Sequence, residues 1–98
     1  MDIRHEINGV HFVWDDEKAR LNALHHDGIT FERAAEVFFD PFFRLIDASR
    51  NDEARDAVIG YDASGLLLYV VHIAFEESDI RIISARKASK QERSDHDS

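Results

Sequence analysis

The sequence predicts an α+β fold: an antiparallel sheet of four to five strands, packed by two N-terminal helices and finished by a short C-terminal helix, in the order β-α-α-β-β-β-β-α. Three observations predict it. Two helical segments with clear cap signals lie between residues 15 and 41, four short apolar strands follow with no helix between them, and the turns joining those strands are too short for parallel crossovers. The 98 residues read as one domain, 1–98, with a core over about 7–93 and a tail at 94–98 expected to be disordered. A chain of this length buries only about 60 to 65% of the surface its unfolded form exposes. One thin core is the most it can build.

Val10, Phe12 and Trp14 alternate with His11 and Val13, the period-2 pattern of a half-buried strand. Asp15 then caps a helix beginning at Asp16, and Asp15, Asp16 and Glu17 sit where the helix dipole favours negative charge. That helix runs to about His26 and stops at Gly28, because glycine takes the left-handed conformation a C-cap needs. Thr30 opens the second helix. Its apolar stripe is Phe31, Ala34, Ala35 and Phe38, at i, i+3, i+4 and i+7, and Asp40-Pro41 ends it, since a residue before proline avoids the α region.

Strand patterns then run over residues 43–47, 54–61, 66–76 and 80–86. Their separators are turn chemistry: a polar stretch at 49–53, a glycine-containing hairpin turn at 62–65 and an acidic turn at 76–79. Ser89-Lys-Gln-Glu92 fits a capping box, with the serine oxygen accepting an N–H three residues on and the glutamate reaching back. A short helix follows.

Composition excludes several classes. With 44% hydrophobic and 33% charged residues the chain is that of a globular protein. It has no cysteine, so disulfides and thiolate metal sites are excluded and the fold rests on packing, which suits a reducing compartment. The first residues lack the apolar stretch of a signal peptide, and the longest apolar run, 66–71, is far below the roughly 20 residues that span a bilayer. A cytoplasmic protein without membrane contact is expected. A net charge of −8 disfavours nonspecific binding to nucleic acid, whose affinity comes from cation contacts to phosphate. Only a local basic face could bind RNA.

Such a face exists. Residues 80–93, IRIISARKASKQER, carry Arg81, Arg86, Lys87, Lys90 and Arg93 against Glu92 alone, a net +4, whereas residues 1–79 carry −10. Strand alternation puts Arg81 and Arg86 on opposite faces unless a bulge intervenes. Arg86, Lys87, Lys90 and Arg93 then cluster around the capped helix, either as a platform for phosphate or as a solvated basic edge that holds a partner's acids.

Two blocks resemble a known family. WDDEKARLNALHHDGITFERAAEVFFDP, residues 14–41, and the strand RIISAR with its basic segment ending in Glu92-Arg93 are similar to the opening and closing patterns of the BrnT toxins. VVHIAFEESDIRIISAR, residues 70–86, has the same look, including the histidine after the valine pair. The resemblance implies a RelE-like fold and the toxin of a type II toxin-antitoxin system: a metal-independent endoribonuclease that inhibits translation and is neutralised by a ribbon-helix-helix antitoxin of the BrnA type. No cofactor and no metal are implied. RNA is the implied substrate, and a dimer within the toxin-antitoxin complex is compatible with it.

In that chemistry a ribose 2′-hydroxyl attacks the adjacent phosphate, so the site needs a base, cations for the developing charge and an acid for the leaving oxygen. Arg86 and Arg81 are the candidate cations, and His72 or His26 the acid-base group. His72 lies in an apolar strand, where a satisfied core histidine is the plainer reading and a general base the sharper one. Lys87, Lys90 and Arg93, together with Lys18, Asn22 and His25, are the expected RNA contacts. Lys18 and Asn22 match the family pattern and share one helix face.

His25 departs from that pattern, standing where the family carries lysine, with Asp27 inserted before Gly28. This supports an alternative, a catalytically weak BrnT-like domain that binds an antitoxin and acts in autoregulation of its operon. Around residues 50–55, Arg50, Glu53 and Arg55 read as an exposed loop in which Glu53 could serve as a base. Phosphate-loop, His-Glu-x-x-His and GxSxG motifs are absent. The paired rings Phe38-Phe39 and Phe42-Phe43 cannot all be interior in so thin a domain, so a partner is expected to cover one pair.

Overall fold

The computed structural model describes residues 1–49, 54–75 and 79–97. Its elements are β1 (Asp2–Ile7), β2 (Val10–Asp15), α1 (Asp16–His25), α2 (Phe31–Glu36), a 3-10 turn (Val37–Phe39), β3 (Arg44–Asp47), β4 (Asp56–Tyr61), β5 (Leu67–Ala74), β6 (Asp79–Lys87) and α3 (Lys90–His96). The sheet has six strands in the order β1-β2-β6-β5-β4-β3. Two features correct the expected four-to-five-stranded antiparallel sheet. An additional first strand makes the order β-β-α-α-β-β-β-β-α, and the sheet is mixed, because β2 and β6 run parallel with Phe12 beside Ile80 and Val13 beside Arg81. The helices and the meander β3 to β5 supply the long connection that a parallel pair requires.

The first strand forms because Asn8 and Gly9 turn it back onto β2. Both are left-handed, at φ +50° and +82°, as a two-residue hairpin turn of the primed type demands. Asn-Gly is the strongest short hairpin signal there is, and it adds a strand ahead of the one expected from Val10.

Helix starts are set locally, as expected. The Asp15 carboxylate accepts the Lys18 N–H at 3.0 Å, the Thr30 hydroxyl accepts that of Arg33 at 3.2 Å, and both halves of the Ser89/Glu92 capping box are formed. The second helix tightens after Glu36, and Asp40 takes an extended conformation ahead of Pro41. Its carboxylate accepts the N–H groups of Phe42 and Tyr61, which ties the end of the helical segment to β4. At the other end of the chain α3 continues to His96, through most of the tail expected to be disordered. Residues 50–53 and 76–78, which include Arg50, Glu53 and most of the acidic turn, lie outside the described residues.

One face of the sheet is covered by α2 and the 3-10 turn. Its core is Phe12, Trp14, Ile29, Phe31, Ala34, Ala35, Val37, Val58, Leu68, Val70, Ile82 and Ala85. Ala34 and Ala35, both fully buried, let the helix approach the strands closely, and Trp14 meets Phe31 edge-on at 5.9 Å. Each large side chain buried there contributes about 1.5–3 kcal/mol. Among the described residues the opposite face is open except at one end, where Ile59, Leu67 and Ala88 form a second cluster with Tyr61 and Tyr69. Nearby, α3 is tethered by the Tyr61 hydroxyl on Asp97 and by Arg44 on the Asp95 carbonyl.

The first helix is different, burying only Asn22 among its residues. In the parallel register β2 covers β6 only as far as Arg81, and α1 lies beside the edge beyond it. There the Asn22 amide stands in for a strand: its oxygen accepts the Ala85 N–H at 3.0 Å and its nitrogen donates to the Ala85 carbonyl at 2.8 Å. A third bond reaches the Ile29 carbonyl.

Candidate active site

The basic residues of β6 reach a common face through an irregularity. Val71 pairs with Ser84 but His72 pairs with Ile82, so Ile83 is an extra residue on β6, a β-bulge. Across it Arg81, Ser84 and Arg86 lie opposite Ile73, Val71 and Tyr69 respectively, all on the face that α2 leaves open. Without the bulge the two arginines would point to opposite sides, as simple alternation predicts.

Arg86 is held from several sides. Its guanidinium donates from Nη1 and Nη2 to the two carboxylate oxygens of Glu92 at 2.8 and 2.9 Å, and from Nη1 to the Lys87 carbonyl at 3.1 Å. It also lies over the Tyr69 ring, 4.2 Å from its centre. Glu92 accepts the Ser89 N–H at 2.7 Å as well. The Arg86 fork, helped by the Ser89 N–H against the opposing cost of burial, holds the Glu92 carboxyl down to about 2.

Beside this assembly is a cavity of about 280 Å³ lined by His26, Ala48, Arg55, Tyr69, Val71, Ser84 and Arg86. His26 enters it from the end of α1, where its N–H closes the helix on the Asn22 carbonyl and the left-handed Asp27 and Gly28 turn the chain away. Arg55 comes from the segment leading into β4. The cavity thus combines two guanidinium groups, an imidazole, a phenol and a hydroxyl, a set able to bind a phosphodiester and move a proton.

Of the residues expected at the site, His26 and Arg86 meet here. Arg81 shares the open face but does not line the cavity; its guanidinium grips Asp2 of β1 at 2.8 Å, which keeps that carboxyl below its usual range. His72 is on the other face, 3% exposed, edge-on to Phe38 at 4.8 Å and with Nδ1 3.4 Å from the Val70 carbonyl. Burial pushes its pKa down, against smaller opposing effects of Val70 and Asp56. The plainer reading of His72, a core histidine, is the one its surroundings support. Asn22 is buried with its amide committed to backbone, so the RNA contact expected of it is replaced by a structural role. Lys87 faces away from Arg86, opposite Leu68, and pairs with Asp27 at 3.8 Å. Lys18, His25, Lys90 and Arg93 are exposed outside the cavity.

The family model described as the ribonuclease toxin BrnT of type II toxin-antitoxin systems matches residues 14–92. The chain belongs to the BrnT family. The matched BrnT segment opens on Trp14 of the core and closes on Glu92, the partner of Arg86. A crystal structure of the Brucella abortus ribonuclease toxin BrnT is similar, with a TM-score of 0.60 and 22% identity over 79% of this chain and 94% of that one. That likeness establishes the fold. No curated protein matches. Among the described residues no helix is long and apolar enough to cross a membrane.

Sequence reasoning does not reach three of the polar residues that line this cavity, Arg55, Tyr69 and Ser84. In the sequence Arg55 belongs to an expected exposed loop, Tyr69 to an apolar run, and Ser84 to the strand pattern over residues 80–86 with no feature that marks it. The available signal for Tyr69 was its place in that run: it alternates with Leu68 and Val70, and so must face away from the core they form.

Proposed function

We propose that this chain is the toxin of a type II pair and that it cleaves RNA without a metal in the cavity formed by Arg86, Arg55, His26 and Tyr69. The carrying observation is that His26 and two arginines, from three separate segments, line one cavity on the open sheet face of a BrnT-family chain. The arginines hold the scissile phosphodiester and balance the charge that builds on it. As the 2′-oxygen bonds to phosphorus and the bond to the 5′-oxygen breaks, His26 serves as the acid-base group for the protons exchanged. The products are a 2′,3′-cyclic phosphate and a 5′-hydroxyl. Cleavage of messenger RNA in this way inhibits translation.

A ribbon-helix-helix antitoxin of the BrnA type neutralises the activity. The exposed apolar surface around β3 supports a protein partner: Phe42 is 76% and Leu45 64% exposed, well beyond what a thin core explains. A second reading, a catalytically weak domain that mainly binds its antitoxin, is favoured by the net charge of −8 and by the compensation of Arg86 by Glu92.

Expression of the chain alone separates the two. The proposal expects slowed translation and fragmented RNA, both relieved by Arg86→Ala with the fold intact. Unimpaired growth at verified expression leaves only the antitoxin-binding reading.

A further inference from the structure

The contacts of Arg86 use its donors unevenly. A guanidinium presents two planar forks, one end-on between Nη1 and Nη2 and one side-on between Nε and Nη2. Glu92 occupies the end-on fork through both carboxylate oxygens, the second Nη1 hydrogen goes to the Lys87 carbonyl, and the Tyr69 ring covers one face. The Nε–H and the remaining Nη2–H have no partner among the described residues. They are the only donors left to a guanidinium that lines the cavity.

The glutamate is itself fixed. It is the N3 residue of the α3 capping box, and its carboxylate is bonded at 2.7 Å to the Ser89 backbone N–H, a contact that does not involve the side chain of residue 89. A carboxylate held by helix geometry thereby sets the plane and direction of an arginine six residues earlier. Glu92 itself does not line the cavity.

We propose that Glu92 is a positioning residue: it locks the end-on fork of Arg86 so that the side-on fork, Nε–H and Nη2–H, receives one phosphodiester of RNA in the transition state. The inference rests on the ribonuclease reading above and adds the role of α3 to it. A phosphate oxygen pair matches that fork in spacing and planarity, as it matches no lysine. Because a released arginine still offers its charge but not its direction, loss of Glu92 acts on the chemical step more than on binding.

The test uses the full chain and a fluorogenic single-stranded oligoribonucleotide, with kcat and KM measured for Glu92→Gln, Glu92→Asp, Ser89→Ala and Arg86→Ala, and thermal melting of each. Glu92→Gln keeps side-chain size, and Glu92→Asp keeps the charge but withdraws it by one methylene. Both are expected to lower kcat about 10- to 100-fold with KM changed less than about threefold. Ser89→Ala, which weakens the helix cap but leaves the fork, is expected to lower the melting temperature and hold kcat within about twofold. A parental kcat in a folded Glu92 variant overturns the proposal, and so does an equal loss of kcat in Ser89→Ala, which would assign the effect to α3 docking. If Arg86→Ala itself cleaves normally, the ribonuclease site is misplaced; if it is inactive while the Glu92 variants are not, only the positioning role fails.

Discussion

Replacing Asn22 by alanine removes three hydrogen bonds at the uncovered edge of β6, to the Ala85 N–H, the Ala85 carbonyl and the Ile29 carbonyl. Ala85 is fully buried, so its two backbone groups lose the contacts that, among the described residues, substitute for a neighbouring strand. Each buried group left unpaired costs about 1–3 kcal/mol. Because α1 is largely exposed on its outer side, water can reach part of the vacated space, which places the total at about 2–4 kcal/mol. For a domain of this size that corresponds to a fall in melting temperature of about 10–25 °C. Circular dichroism melts and urea titration read this directly, and RNA binding by the folded variant at low temperature is expected to match the parent. A melting temperature within about 2 °C of the parent, or lost RNA affinity in an equally stable variant, would refute the structural assignment and return Asn22 to the binding surface.

His72→Leu is expected to leave RNA cleavage within about twofold of the parent and to flatten the loss of stability on acidification. Burial lowers the folded-state pKa below its usual 6.5, so the neutral ring's stability is full above that value and is lost as pH falls through the folded one. Cleavage lost with the fold intact would put His72 in the mechanism. Glu92 titrates in the same sense at lower pH: its contribution is present above about 4.5 and disappears as pH falls toward about 2. Melting temperatures of the parent and Glu92→Gln should therefore converge across that window, and parallel curves would contradict the strength of the Arg86 pair. Gly60→Ala would set a Cβ 2.9 Å from Val37 Cγ1, 3.1 Å from Asp40 Oδ2 and 3.2 Å from Phe43 Cβ. The crowding is expected to cost about 1–3 kcal/mol, and a parental melting temperature would show that this end of the sheet yields.

What the sequence made legible was local. Asp15, Thr30 and Ser89 cap helices as their neighbours require, and Phe31, Ala34 and Ala35 occupy the core their spacing assigns them. The hairpin at Asn8-Gly9 was equally local, and reading it needed only attention to alternation before Val10. The parallel pairing of β2 with β6 was not legible, because it joins residues nearly 70 positions apart and no short-range signal distinguishes a mixed sheet from a meander. The bulge at Ile83 was hidden for a related reason: Ile82-Ile83 reads as two consecutive apolar residues, and only the partner strand reveals which one is extra. The site inherits that blindness. Arg86 and His26 were visible as charged or titratable residues, but their union with Arg55 and Tyr69 depends on two strands, the segment leading into β4 and the end of a helix converging.

The central claim is tested most directly by incubating the purified chain with end-labelled single-stranded RNA in excess chelator and identifying the new termini. Cleavage that persists without divalent metal, leaves 2′,3′-cyclic phosphate and 5′-hydroxyl ends, and is lost in Arg86→Ala and His26→Ala is the expected result. Intact RNA, or cleavage that requires added magnesium and survives both substitutions, would contradict it.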